Sequence, residues 1–379
     1  QDGGGARRFP LVAVVLGSAC AEAPAVGFFG GVHGLERIGT DVVLEYLRNV
    51  AARLPWDELL RRQLESMRMV FMPLVNPAGM WRGTRANARG VDLMRNAPIE
   101  AAGRVPFLVG GQRFSAALPW YRGAAGAPLE AESAALCRLV EDELLAQPFS
   151  LAIDCHSGFG LVDRIWFPFA HTARPLPHLA EVHALKRIFD AAHPNHPYVF
   201  EPQSRHYLTH GDLWDWLYGR ACRDPQRVFL PLTLEMGSWL WVKKNPRQLF
   251  SRLGVFNPLI DHRQRRVLRR HAVLLDFIAR AAYGHAHWLP RGAAATPASA
   301  GLPQRCAGVR KCALRGLCPH PAGTPVQAQS ASALVARIPR EGIPRHAAGS
   351  QQSPVPLPRD HAPSHRPSRS EGLATRMPP

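Results

Sequence analysis

Acidic residues are scarce in this chain, its cysteines are few and irregularly spaced, and no apolar run approaches the roughly 18 residues that a membrane-spanning helix needs. Each scarcity narrows the range of functions. The sequence of 379 residues holds 29 Asp+Glu against 46 Lys+Arg, a formal net charge of +17. Residues 291–379 contribute 12 Lys+Arg and 3 Asp+Glu, so the tail carries +9 and the first 290 residues carry +8. Much of the excess in the body gathers in Arg263, Arg265, Arg266, Arg269 and Arg270, a run that reads as a solvated helix face, and no specific nucleic-acid partner is expected. Seven cysteines without a repeating spacing do not make a disulfide framework and favour a reducing compartment. Cys306, Cys312 and Cys318, with His320 nearby, are spaced more widely than the ligands of a structural zinc knuckle, so no second zinc is expected there. Arg7 and Arg8 precede a short apolar run, Leu11 to Leu16, that is shorter than an export core. It reads as a first strand, and the chain as cytoplasmic. Oligomeric state has no signature in the sequence.

With 46% hydrophobic residues the chain can bury a large core. From about Arg291 the composition shifts to Ala, Pro, Ser, Gly, Gln and Arg, which cannot bury enough apolar surface to offset the entropy of ordering. The expected organisation is one catalytic-sized domain, residues 9–290, and a disordered tail, residues 291–379.

Short apolar runs at Pro10 to Leu16, Ala25 to Phe29, Met67 to Val75, Phe149 to Cys155 and Val228 to Leu234 have the pattern of strands covered on both faces. Amphipathic helices are predicted over Asp41 to Leu54, Glu130 to Leu145 and Leu268 to Ala282. Strands alternating with helices imply an α/β fold with a mixed, mostly parallel central sheet and helices on both faces.

Several residues capable of chemistry stand at the ends of these runs. His33 and Glu36 lie three apart in the turn after Ala25 to Phe29, a spacing that lets an imidazole and a carboxylate bind one zinc ion from the same side. His156 closes the run from Phe149, where it can be a third ligand or a hydrogen-bonded core histidine. Glu235 closes the run from Val228; a carboxylate emerging from a buried strand is costly unless it is paired or has a catalytic task. Between them the loop Trp81 to Asn96 concentrates Arg82, Arg85, Arg89 and Arg95, whose forked donors suit carboxylates and oxyanions.

Taken in order, these pieces resemble the zinc metallocarboxypeptidases of the carboxypeptidase A-like family. The resemblance covers roughly residues 10 to 280 and rests on His-x-x-Glu at His33 and Glu36, Asn-Pro-x-Gly at Asn76, Arg85-Ala-Asn87 followed by Gly90-Val-Asp-Leu-Met-Arg-Asn96, His156-Ser157, and Thr233-Leu-Glu235. It implies an α/β/α sandwich and one zinc per chain, held by His33, Glu36 and His156. It also implies hydrolysis of a peptide or amide bond, with zinc-bound water as nucleophile and Glu235 as general base and then proton donor. Asp92 would accept a ring N–H of His33, and Arg85 would stabilise the oxyanion with Arg82 as runner-up. Arg95 and Asn96 would bind an anionic substrate terminus, and Tyr207 is the nearest counterpart of the family's mobile tyrosine. One position departs from the pattern. The family has asparagine where this chain has Met94, and methionine cannot donate to a carboxylate. The departure keeps two other readings open: a zinc-dependent deacylase or amidase acting on small acylated substrates, and a non-catalytic binding protein on the same fold.

Overall fold

In a computed structural model of the protein, the described residues are 8–290 and 333–337, the latter for their backbone. Seven strands come from the body: β1 (Leu11–Gly17), β2 (Ala25–Gly30), β3 (Arg68–Met72), β4 (Phe149–Ser157), β5 (Arg164–Phe167), β6 (Val199–Pro202) and β7 (Val228–Met236). An eighth, β8 (Ala333–Arg337), pairs with β1. The sheet order is β6-β5-β7-β4-β2-β3-β1-β8, with β1–β3 and β5–β7 antiparallel and the other five pairings parallel. The mixed, mostly parallel sheet is the one the sequence pattern implies. β8 falls within the segment 291–379 and adds a parallel strand to the open β1 edge of the sheet. The rest of that tail, including Cys306, Cys312, Cys318 and His320, lies outside the described residues.

The helices are α1 (Arg37–Arg53), α2 (Glu58–Ser66), α3 (Pro77–Arg82), α4 (Ala131–Glu143), α5 (Leu179–Ala192), α6 (Leu213–Ala221), α7 (Trp239–Lys244) and α8 (Asp261–Tyr283). Side chains alternate across a strand, so neighbouring residues of β2 report which helices cover each face. Phe28 meets Tyr46 of α1, with ring centroids 5.0 Å apart, while Phe29 meets Trp214 of α6 at 5.1 Å. The sheet is therefore covered on both sides, which is why β2, β3 and β4 are buried at every residue and read as unbroken apolar runs. Each fully buried phenylalanine contributes about 2–3 kcal/mol relative to exposure.

Two helices start earlier than the periodicity predicts. α8 begins at Asp261 rather than Leu268, because its first turns carry arginines that face water and give no apolar signal. α1 begins at Arg37 rather than Asp41, directly after Glu36. Its first turn needs Gly39: a Cβ there would lie 2.1 Å from the backbone oxygen of Cys155. That contact brings the start of α1 against the end of β4, and with it Glu36 towards His156.

Candidate metal centre

The C-terminal ends of the parallel strands β2, β4 and β7 lie side by side, and open α/β sheets bind ligands at such ends. β2 delivers the turn with His33 and Glu36; β4 delivers His156; β7 delivers Glu235, whose Cα is the register partner of His156. Gly34 lets the turn press on α3, since a Cβ there would fall 2.0 Å from the Gly79 backbone. The turn is thus fixed by backbone contact on both sides.

His33, Glu36 and His156 are buried, and one possible ligand atom from each lies within 4.8 Å of the others. His33 Nδ1 is 2.8 Å from Glu36 Oε1, His156 Nδ1 is 3.1 Å from Glu36 Oε2, and the two Nδ1 atoms are 3.3 Å apart. The far side of each ring determines what these atoms can do. His33 Nε2 donates to Asp92 Oδ1 at 3.1 Å, and His156 Nε2 donates to Asp154 Oδ2 at 2.7 Å. A neutral imidazole that donates through Nε2 has only a lone pair at Nδ1. Two lone pairs and a carboxylate then face one another, an arrangement that a cation satisfies and that suits the nitrogen and oxygen preference of zinc.

The electrostatics favour positive charge at this place. Burial would raise Glu36, but His33 and His156 outweigh it and hold the carboxyl below its usual range. Burial likewise opposes ionisation of Asp92, yet Arg85 and His33 hold it well below the usual range. Burial would lower His156, and Asp154 with Glu36 instead holds it well above its ordinary value.

Glu235 faces the cluster without joining it. Burial, then the Glu36 carboxylate, pushes Glu235 up to about 8, against the opposing pull of His156 and Arg85. Its Oε1 accepts the backbone N–H of Phe159 at 3.1 Å. Arg85 donates through Nε to Asp92 Oδ2 at 2.8 Å and through NH1 to Glu36 Oε1 at 3.3 Å, so it lies beside the cluster. Tyr207 lies on the Arg85 side of the cluster, with its ring centroid 6.4 Å from that of Phe159.

Other expected residues stand apart. Arg82, at the end of α3, is exposed and donates to the carbonyl of Ala88 at 2.7 Å, so no contact brings it to the cluster. Asn96 spends its amide on backbone, donating to the Arg122 carbonyl and accepting from the Glu130 N–H, which makes it a tether of the loop. Met94 packs in the hydrophobic core. Arg95 is buried, its Nε has no hydrogen-bond partner, and no carboxylate lies within ion-pair distance of it among the described residues. Its NH1 donates to the Met94 carbonyl at 3.4 Å, and Asp92 and Asp212 act on it from beyond ion-pair distance; the buried Nε without an acceptor is costly, and an anionic ligand would supply one.

Asp154 is the residue that sequence reasoning passed over. It precedes His156 by two in a strand, which puts both side chains on one face, and it also accepts from Trp214 Nε1 at 2.9 Å. An aspartate at that offset in an apolar run was the available signal.

Fold and cluster together define an α/β domain with a candidate metal site at the C-terminal ends of its parallel strands. Residues 10–238 match the family model described as zinc carboxypeptidase, and the chain belongs to that family. It is 31% identical over 93 residues to Carboxypeptidase SOL1 of Arabidopsis thaliana, covering 24% of this chain and 19% of that protein. It is 27% identical over 178 residues to Carboxypeptidase D of Anas platyrhynchos, covering 43% and 11%. The matches thus span a fifth or less of these relatives' lengths. Among solved structures, thrombin activatable fibrinolysis inhibitor superposes with a TM-score of 0.54 at 19% identity, over 73% of this chain and 66% of that one. Carboxypeptidase A from Helicoverpa armigera gives 0.52 at 17% identity, over 71% and 63%. At those identities the likeness shows the fold. No helix among the described residues is long and apolar enough to cross a membrane.

Proposed function

We propose that the chain removes residues from the free C-terminus of peptides, with one zinc held by His33, Glu36 and His156. The observation that carries this reading is the convergence of two imidazole lone pairs and a carboxylate beside a second, protonatable carboxylate, Glu235. When bound there, zinc supplies Lewis-acid polarisation of water and of a carbonyl oxygen.

Everything else falls to the chain's own residues. Glu235, anchored by the Phe159 N–H, takes the proton from the attacking water and returns it to the leaving nitrogen. A carboxyl whose ordinary pKa has been pushed upward is suited to both halves of that transfer. Arg85, steadied on Asp92 and Glu36, places positive charge where the oxyanion develops. Asp92 and Asp154 fix the ring tautomers of His33 and His156. Arg95 offers its unpartnered Nε and its positive charge to the substrate's terminal carboxylate. Because Met94 is turned into the core, that terminus is held from Arg95 without help from its neighbour.

The same burial of Met94 favours a second reading, cleavage of small acylated amines, in which no free C-terminus is needed. Paired peptides with free and amidated C-termini separate the two. The carboxypeptidase reading expects kcat/KM to fall by about a hundredfold or more on amidation, and Arg95→Ala to remove the difference. Equal rates on both peptides would favour the deacylase.

A further inference from the structure

The surface that follows Glu235 is as rich in unpaired charge as the metal centre is in paired charge. From Lys243 to Arg270 the sequence has nine Lys+Arg and a single acidic residue, Asp261. Lys243 and Lys244 end α7, Arg247 lies in the 3-10 turn Pro246–Phe250, Arg252 follows, and Arg265, Arg266 and Arg269 line the first turns of α8. These seven side chains are exposed, and none lies within ion-pair distance of a carboxylate among the described residues, whereas Arg270 is paired with Asp163. The two helices meet here, for Arg263 donates to the Lys244 carbonyl at 3.5 Å. In the turn between them Leu249 is 60% exposed and Phe250 is 94% exposed.

Unpaired cations alone are the ordinary condition of a solvated face. Leu249 and Phe250, exposed side by side in their midst, add an apolar tip to that charge, and the tip gains free energy where it is taken out of water. A DNA duplex, gripped through its phosphates, would use the charges and leave Phe250 wet. An anionic bilayer uses both: its headgroup phosphates pair with the cations, and the ring enters the boundary between headgroups and acyl chains. We propose that this face docks the protein on anionic phospholipid membranes, with Leu249 and Phe250 inserted and the surrounding lysines and arginines on the headgroups.

The position of the face gives docking a consequence for the catalytic end of the sheet. It starts four residues after Glu235 with Trp239, whose Nε1 donates to the carbonyl of Gly158 at 2.8 Å. Asn257, between the turn and α8, donates to the Leu35 carbonyl and accepts from the Ile38 N–H, so the same segment grips the turn that bears Glu36. Substrates exposed at the membrane surface would therefore meet the cluster without a long diffusive search.

The test is vesicle co-sedimentation of the full chain, comparing phosphatidylcholine with phosphatidylcholine containing about 30% phosphatidylserine. The protein should partition onto the anionic vesicles only, and should be released by added salt. Replacing Lys243, Lys244 and Arg247 together by glutamate should lower partitioning by at least about a hundredfold, and Phe250→Ala by about tenfold, with zinc content and hydrolysis of a soluble peptide unchanged. Binding that survives the triple change would place the membrane contact on another basic part of the chain and overturn the proposal. So would partitioning indifferent to phosphatidylserine, or binding to a DNA duplex with none to vesicles.

Discussion

Two buried histidines of this protein are pushed in opposite directions, and the contrast explains why one of the two places suits a metal. His156 lies among carboxylates whose charge is largely unmatched. Of the groups hydrogen-bonded into its cluster, Glu36, Asp92 and Asp154 are acids and Arg85 alone is a permanent cation. With neutral rings that leaves two negative charges, which a divalent ion balances. His271 lies against Asp163 at 4.0 Å, but Asp163 is already satisfied by Arg270 at 2.8 Å and by the Gly237 N–H at 2.9 Å. Its Nδ1 is 2.9 Å from the Tyr198 hydroxyl. Burial then dominates and pushes His271 down to about 4. Burial is common to both; the counter-charge differs.

The contrast can be broken most severely at the carboxylate that the cluster leaves uncommitted. Glu235→Gln should lower kcat by about a thousandfold while the protein keeps its zinc, as read by steady-state hydrolysis alongside metal analysis. Near-normal turnover would remove Glu235 from proton transfer. A smaller effect is expected one layer out. Asp154→Asn keeps the shape of the partner but not its charge, and should weaken zinc binding by about 10–100-fold in competition with a chelator. An unchanged affinity would mean that Asp154 acts on packing alone.

At the other histidine the expected effect is on stability. His271 titrates near its usual value when unfolded and near about 4 when folded, so between these values the unfolded chain binds more protons. The stability it contributes is present in full above the unfolded value and is lost as pH falls through that window, by at most about 3 kcal/mol. Denaturant titrations from neutral to mildly acidic pH should show the loss, and His271→Gln should flatten it; a slope unaltered by the substitution would assign it to other groups.

Strands β1 to β4 and β7 and the candidate metal ligands were legible because buried strands announce themselves as apolar runs, and polar residues at their ends stand out, whereas the four-residue strands β5 and β6 are too short to give such a run. His33, Glu36, His156 and Glu235 all stood out in this way. What was not legible depended on where side chains point. Asn96 and Met94 lie in the same motif as Arg95, and only the packing shows that one tethers backbone and the other fills the core. Arg82 and Arg85 are equivalent as sequence, yet Arg82 turns to a loop carbonyl and Arg85 to the cluster. The first turns of α8 gave no helical signal because arginines occupy both of their exposed sides.

The central claim is that His33, Glu36 and His156 form one zinc site built by unmatched negative charge. The most direct test is metal content after purification and dialysis, in the wild-type protein, in His156→Ala and in His271→Ala. The account predicts one zinc per chain in the wild type and in His271→Ala, and none retained in His156→Ala. A stoichiometric zinc that survives His156→Ala would contradict it.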